Sequence, residues 1–504
     1  MSNHLFDAMR AAAPADAPFM RTGSGQTWSY GDAFALSGRI ASAMDTLGIR
    51  PGDRVAVQVE KSAEALILYL ACLRSGAVYL PLNTAYTLAE LDYFIGDAEP
   101  RLVVVASTAR EGVATIAQRH GAIVETLDAD GSGSLLDLAR DEPADFVDAS
   151  RSADDLAAIL YTSGTTGRSK GAMLTHGNLL SNALTLRDYW RVTAGDRLIH
   201  ALPIFHTHGL FVATNVTLLA GASMVLLSKF DADEVVSLMP EATMLMGVPT
   251  FYVRLLQSPR FGKEAAANIR LFISGSAPLL AETHTEFEAR TGHAILERYG
   301  MTETNMNTSN PYEGKRIAGT VGLPLPEVTV RVTDPATGLV LPAEQTGMIE
   351  IKGPNVFKGY WRMPEKTAAE FTADGFFISG DLGKIDSDGY VHIVGRGKDL
   401  VISGGYNIYP KEVESEIDRI EGVVESAVIG VPHPDFGEGV TAVVVRKPGA
   451  VLDEKTIVTA LQDRLARYKQ PKRIIFAEDL PRNTMGKVQK NILRQQYAGL
   501  YTGT

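Results

Sequence analysis

One cysteine in 504 residues excludes an internal disulfide and leaves no second thiol for covalent carriage. That residue, Cys72, sits in the apolar run EALILYLACL, where a small buried side chain is expected. Any thioester chemistry would therefore take its sulfur from a cofactor. Basic charge is also short: 48 Lys and Arg against 59 Asp and Glu leave a net charge of −11. Such a field repels polyanions and argues against nucleic-acid binding, while still permitting local phosphate contacts. Long apolar runs are missing as well. The N-terminus, MSNHLFDAMRAAAPADAPFM, lacks the greasy core of a secretory signal. The most apolar span, LFVATNVTLLAGASMVLL at 210–227, is interrupted by Asn215, Thr217, Gly221 and Ser223. A buried helix followed by a strand is expected there, with no membrane crossing and a cytoplasmic location. No internal repeat or low-complexity tract is visible.

What the chain has is ample core material, 45% hydrophobic and 21% charged residues, enough for about three compact units at roughly 100–200 residues each. RVAVQVE, SAEALILYLACLRSG, AVYLPLN, TLAELDYFIGDA and RLVVVA alternate strand and helix patterns. HALPIF, ASMVLLSKF, ATMLMGV and IRLFISGSAPL continue the rhythm. This reads as α/β with doubly wound parallel sheets to about residue 320, where ligands bind beyond the carboxyl ends of the strands. VTVRVTDPATGLVLP and TGMIEIKGP alternate apolar and polar residues, so a small β subdomain is expected over about 326–395. The N-terminal domain then covers 1–397. After GRGKD comes a compact α+β piece, 400–504. Its expected helices are KEVESEIDRI, with Val413, Ile417 and Ile420 on one face, and KTIVTALQDRLARYK, with Ile457, Leu461 and Leu465. ESAVIGVP, GVTAVVV and RIIFAE are its expected strands.

Residues 161–171 read YTSGTTGRSKG and follow the apolar run LAAIL. Glycines let backbone N–H groups converge on an anion, the hydroxyls of Thr162, Ser163, Thr165 and Thr166 add donors, and Lys170 adds charge. A polyphosphate suits such a loop. It is not a Walker loop, because Gly167 follows Gly164 by three residues and Lys170 is followed by Gly171.

The spacing of that loop resembles the phosphate loop of the adenylate-forming superfamily, which includes the acyl-CoA synthetases. Six further segments resemble that superfamily's motifs in the same order: LPIFHTHG, SGSAPL, ERYGMTET, ISGD, GRGKD and PRNTMGKVQK. The resemblance implies that Thr162, Ser163, Gly164, Thr165, Thr166, Gly167 and Lys170 hold ATP phosphates. It places Gly275, Ser276 and Ala277 on one wall of the adenine slot, and Glu297, Arg298, Tyr299, Gly300 and Met301 on the other, with Tyr299 against the ring. Thr302 would contact phosphate. Glu303, with Thr165, would hold Mg2+, for which hard oxygen ligands are suited. Asp381 and Arg396 would bind the ribose, and His206 would gate the acyl pocket. Lys487 is implied as the catalytic lysine, Lys398 with residue 399 as a hinge, and Gly404 and Gly405 as the pantetheine face of a mobile lid. His206 and His208 alone, two residues apart, make a poor metal pair.

LPIFHTHGLF, SGSAPLL, ERYGMTETNMNTSNPY and PRNTMGKVQK further resemble the malonyl-CoA synthetase branch of the superfamily. By that resemblance the substrates are malonate, ATP and coenzyme A. Thr207 and Met306 would flank the malonate C2 carbon, with Ser276 nearby. A short dicarboxylate leaves one carboxylate for chemistry and one for an arginine, and Arg254 and Arg298 are the candidates. Alternatives are a synthetase for acetate, propionate or oxalate, an adenylation domain loading a carrier protein, and a silent nucleotide-binding module. The expected assembly is a monomer or weak dimer. Acylation of Lys487 would neutralise it.

Overall fold

The computed structural model describes residues 2–162, 169–404, 406–462, 464–483 and 486–501. The chain divides into two compact units, Met1–Thr329 with Ile351–Phe377, and Val330–Glu350 with Ile378–Thr504.

The first unit is α/β. Strands such as Leu102–Val105 (LVVV) and Leu271–Ser274 (LFIS) are buried at every residue, the signature of parallel strands covered on both faces. In one sheet Arg54–Gln58 lies parallel between Val78–Pro81 and Leu102–Val105, with Ile123–Thr126 and Leu156–Thr162 outside them. The helix Ala63–Ser75 is buried along its whole length, which explains why its sequence carries no polar stripe. Ser62 caps its start by accepting the Ala65 N–H, and Gly76 ends it in the left-handed conformation.

The second sheet of this unit positions the candidate site. Ser223–Leu226, Arg197–His200, Met244–Gly247, Leu271–Ser274 and Leu296–Met301 lie side by side and parallel. Their carboxyl ends feed four neighbouring connections: 201–209, the Val248 turn, the segment from Gly275 and the turn 302–304. Leu296–Met301 then doubles back antiparallel into Asn305–Ser309. In the first sheet, Leu156–Thr162 pairs antiparallel with Lys170–Thr175, Thr162 opposite Lys170. The glycine-rich loop thus joins two adjacent strands, and the helix His176–Tyr189 follows only after the second.

The apolar span 210–227 forms helical turns His208–Thr214 and Asn215–Leu219 and then the strand Ser223–Leu226, as its interrupting polar residues imply. Among the described residues no helix is long and apolar enough to cross a membrane. Cys72 is buried in Ala63–Ser75.

In the second unit, alternation along two long strands builds two cores. Val428, Val440, Ala442 and Val444 pack with Val413, Ile417, Ile457 and Leu461. Their immediate neighbours Ala427, Ile429, Val443 and Val445 pack with Leu480, Leu493 and Tyr501. A period of two sends adjacent residues to opposite faces, so one sheet is covered on both. The two expected helices are Pro410–Asp418 and Glu454–Leu461, and a further one, Lys490–Gln496, carries Leu493. Glu454–Leu461 is shorter than its apolar spacing predicts: Leu465 remains buried, but in the irregular turns beyond the helix.

Candidate active site

At the base of the glycine-rich loop, five side chains share one chain of contacts. Lys170 Nζ lies 3.0 Å from Glu370 Oε1 and 4.0 Å from the centre of the Tyr360 ring. The Tyr360 hydroxyl lies 2.5 Å from Glu370 Oε2 and 3.1 Å from Glu303 Oε1. Thr162 Oγ1 donates to the same Glu303 oxygen at 3.3 Å. Burial and then the Glu303 carboxylate push the Tyr360 phenol far above its ordinary range, so it stays a hydrogen-bond donor. Glu370 is held below the usual carboxylate range by Lys366, Tyr360 and Lys170, against the effect of burial. The arrangement fixes a cation and a carboxylate on either side of one tyrosine.

Glu303 stands in the turn between Leu296–Met301 and Asn305–Ser309, beside Thr302. The turn is held from behind: Asn355 Nδ2 donates to the Thr304 carbonyl at 2.6 Å, and Phe357 N–H donates to the Glu303 carbonyl at 2.7 Å. Asn182 clamps Met306 by donating to its carbonyl and accepting its N–H, at 2.8 and 3.2 Å. Asn305–Ser309 is fully buried although its sequence, NMNTS, is mostly polar, because such side chains are used as internal cross-links. Tyr299, Gly300 and Met301 lie half-buried at the strand end, and Glu297 Oε1 accepts the Leu279 N–H at 3.3 Å.

The acyl-side candidates gather around Arg298. Its residue exposure is 2%, and its Nε and Nη2 have no hydrogen-bond partner. Burial pulls this guanidinium down to about 9, against the upward pull of Tyr252 and Glu297. The guanidinium lies directly against Gly275: a Cβ there would stand 2.4 Å from Arg298 Cζ, so any larger residue would have to displace the guanidinium. The next residue, Ser276, takes a left-handed φ of 72° and sets its Oγ 3.2 Å from His208 Nδ1. His208 is fully buried with no partner at Nε2, and burial, then Arg298, hold it well below the ordinary imidazole value. Thr207 Oγ1 and Ser274 Oγ are likewise buried without partners. Unpartnered buried polar atoms of this density mark a place for a polar ligand. His206 is half-exposed, and its Nδ1 accepts the His208 N–H at 3.3 Å. Ala277 is half-buried, and Met306 is buried against Gly300.

Arg254 is placed differently. The helix Pro249–Gln257 buries Phe251, Tyr252 and Leu255 and leaves Arg254 exposed. Of the two arginines weighed for a carboxylate, Arg298 is the buried one.

In the second unit, Asp381 and Arg396 face each other across paired strands, with Arg396 Nε 2.9 Å from Asp381 Oδ1. Lys487 is half-buried. Burial, then Arg396 and Lys398, draw its ammonium down to about 8, opposed by Asp381 and Asp399. The Lys487 N–H donates to Asn483 Oδ1 at 2.9 Å. Lys398 lies in the short turn Gly397–Asp399, where Asp399 pairs with Arg494 at 2.7 Å. Gly404 takes a φ of 59° and donates its N–H to the Phe436 carbonyl at 2.9 Å.

Ser163, Gly164, Thr165, Thr166, Gly167 and Gly405 lie outside the described residues. Among the described residues no three His, Cys, Asp or Glu side chains gather as a metal cluster. A lone carboxylate such as Glu303, with the Thr162 hydroxyl beside it, fits a magnesium that takes most of its ligands from phosphate and water. Sequence reasoning missed Tyr360, Glu370 and the His208–Ser276 contact. Glu370 is 200 residues from Lys170, and nothing in WRMPEKTAAE signals a phosphate-loop partner. His208 carries a signal, its place between Thr207 and Gly209, but in sequence its spacing from His206 suggests only a poor metal pair.

Comparisons with known proteins give the family and the fold. The family described as AMP-binding enzyme matches residues 7–361, and the AMP-binding enzyme C-terminal domain matches 412–487. The crystal structure of ATP-bound MatB from Rhodopseudomonas palustris superposes with a TM-score of 0.98 at 64% identity, covering 99% of this chain and 100% of that one. A feruloyl-CoA synthase from an Amycolatopsis species is 37% identical over 478 residues, 94% of each protein. The malonate–CoA ligase of Arabidopsis thaliana is 35% identical over 519 residues, 94% of this chain and 85% of that protein. With a family match over residues 7–361 and relatives 35–37% identical over 94% of its length, the chain belongs to the AMP-binding enzyme family.

Proposed function

We propose that this protein joins malonate to coenzyme A, by way of a malonyl-adenylate, with release of pyrophosphate and then AMP. The observation that carries the reading is Arg298, a guanidinium buried with two nitrogens unpartnered. Leaving a buried charge uncompensated costs on the order of 3–5 kcal/mol. A second carboxylate on the substrate offsets that cost, and an apolar acyl chain does not. An aromatic acid of the feruloyl type would leave Arg298, His208 and Thr207 without partners, which is why the malonate–CoA ligase is the more instructive relative. Ser276 and His208 complete a polar pocket, with Arg254 proposed as the outer contact. Thr207 and Met306 flank C2, and relieving their bulk favours methylmalonate.

The first half-reaction is attack of one malonate carboxylate on the α-phosphorus of ATP. Negative charge builds on the phosphate oxygens, and preorganised cations stabilise it without reorganising. Lys487 is the proposed ammonium at that step, and Lys170 with the glycine-rich loop holds the departing phosphates. Asp381 and Arg396 are proposed to hold the ribose. Mg2+, when bound, neutralises phosphate charge, and Glu303, Thr165 and Thr162 are the residues that would hold it. The second half-reaction is attack of the coenzyme A thiol on the mixed anhydride. Lys398 and Asp399 as hinge, and Gly404 with Gly405 as the pantetheine face, belong to the same proposal.

The test is pyrophosphate release across short mono- and dicarboxylates with ATP and Mg2+. Malonate should give the largest kcat/KM by at least tenfold. Equal or better turnover of acetate, propionate or ferulate would reject a dicarboxylate pocket.

A further inference from the structure

Lys61 is 9% exposed and has no carboxylate partner among the described residues. It stands just before Ser62, the cap of the buried helix Ala63–Ser75. Its three N–H donors are nonetheless used, all on one short segment. Nζ lies 2.7 Å from the His200 carbonyl, 2.8 Å from the Leu202 carbonyl and 2.9 Å from His200 Nδ1. The other nitrogen of that ring, Nε2, is 2.9 Å from the Gly209 carbonyl. A carbonyl only accepts, so Nε2 carries the proton. Nδ1 then accepts, and the amine opposite must donate all three hydrogens, which requires an ammonium. Burial draws the Lys61 ammonium well below the ordinary lysine range, and burial, then Lys61, holds the His200 imidazolium well below its own, so the pair carries no more than one positive charge. The three acceptors around Nζ put it on the lysine, the stronger base.

We infer that Lys61 is a positioning residue for the carboxylic-acid substrate. Its ammonium pins the loop 201–209 at both ends, directly at His200 and Leu202 and through the His200 ring at Gly209. Between the two pins lie Thr207 and His208, whose buried Oγ1 and Nε2 have no partner. The loop is folded tightly enough for the pins to matter. A Cβ on Gly209 would stand 2.1 Å from the Pro203 carbonyl oxygen, so the end of the loop presses on its beginning. Thr214 Oγ1 donates to the same Gly209 carbonyl at 3.0 Å, and both residues belong to the helical turns His208–Thr214, which support the far pin. A hydrocarbon in place of the ammonium would leave the buried Leu202 carbonyl and the His200 Nδ1 unsatisfied, with the His200 carbonyl keeping only the Leu227 N–H at 3.1 Å, and the loop would open to recover them.

The acyl role of the loop rests on the malonate reading above, whereas the clamp itself does not. In 15N-histidine-labelled wild-type protein, His200 should be a neutral ring protonated at Nε2 with an accepting Nδ1. In the Lys61→Met variant, hydrogen exchange over 201–209 should accelerate selectively. The malonate KM should rise about tenfold or more, the ATP KM should stay within twofold, and the malonate-to-methylmalonate ratio should fall. Displacing a positioned group by about 1 Å can cost about 10²-fold, so the effect is within reach of steady-state assays. A proton on His200 Nδ1 would overturn the clamp even if Lys61→Met failed to fold. Loss of kcat alone, equal for malonate and acetate, would make Lys61 merely structural. Wild-type protein inactive on malonate would reject the substrate reading, while the ring tautomer and the exchange pattern would still decide the clamp.

Discussion

Lys170 and Glu370 form an ion pair of 3.0 Å over the face of Tyr360, whose hydroxyl also reaches Glu303. The lysine proposed for phosphate and the glutamate proposed for magnesium are therefore oriented by one phenol. Partners behind a metal-binding carboxylate typically matter 10–100-fold for affinity. Tyr360→Phe should raise the Mg2+ concentration for half-maximal adenylation about tenfold and leave the malonate KM unchanged. A magnesium titration of pyrophosphate release checks this. An unmoved midpoint would mean that the phenol only fills space.

Lys487 gives a pH prediction. Its ammonium lies at about 8, below the ordinary lysine value of about 10.4, because burial, Arg396 and Lys398 disfavour the charge. The form proposed to act in adenylation is the protonated one, so activity should be full below about 8 and fall about tenfold per unit above it. The profile of kcat/KM reports groups of the free enzyme. Adenylation measured without coenzyme A, whose own thiol would otherwise intrude, should show a descending limb near pH 8. Lys487→Arg should lose rate but move that limb upward, since a guanidinium stays charged. A limb that ignores this substitution belongs to another group.

The units differ in how much of them could be read from sequence. The α/β lobes were legible because buried parallel strands such as LVVV and LFIS announce themselves by composition, and the alternating strands of the second unit by period. The turn carrying Thr302 and Glu303 was legible as a motif. Tyr360, Glu370, Lys61 and His200 were not, because each acts through a partner distant in sequence, and hydrogen-bond partnership leaves no periodicity. Arg254 and Arg298 were indistinguishable as letters. Burial separates them, and burial depends on which face of helix Pro249–Gln257 meets the sheet.

That separation is testable through Gly275. A methyl group there would overlap Arg298, with 2.4 Å to Cζ, so Gly275→Ala must displace the guanidinium. Arg298→Lys keeps a charge but loses the planar fork that matches a carboxylate. Both variants should raise the malonate KM by tenfold or more and narrow the preference for malonate over acetate. Arg254→Ala, at an exposed position, should have the smaller effect. Parallel decline on both acids, with unfolding midpoints unchanged, would assign Arg298 to scaffolding.

The two half-reactions make different demands on charge, and Lys487 is proposed for only one of them. Charge accumulates on the α-phosphate during adenylation. In thioester formation the phosphate leaves as AMP from an anhydride already formed, and the nucleophile is external. Removing one preorganised donor typically costs about 10²–10³ in rate. Lys487→Ala should therefore lower malonate-dependent exchange of pyrophosphate into ATP by that factor or more. Conversion of chemically prepared malonyl-adenylate and coenzyme A to the thioester should proceed within a few-fold of wild type. Acylation of the same amine should reproduce the first effect and spare the second, because it removes the charge and leaves the backbone contact to Asn483 in place. Equal loss in both assays would show that the ammonium serves the architecture of its own unit, and the assignment of adenylation to it would fail.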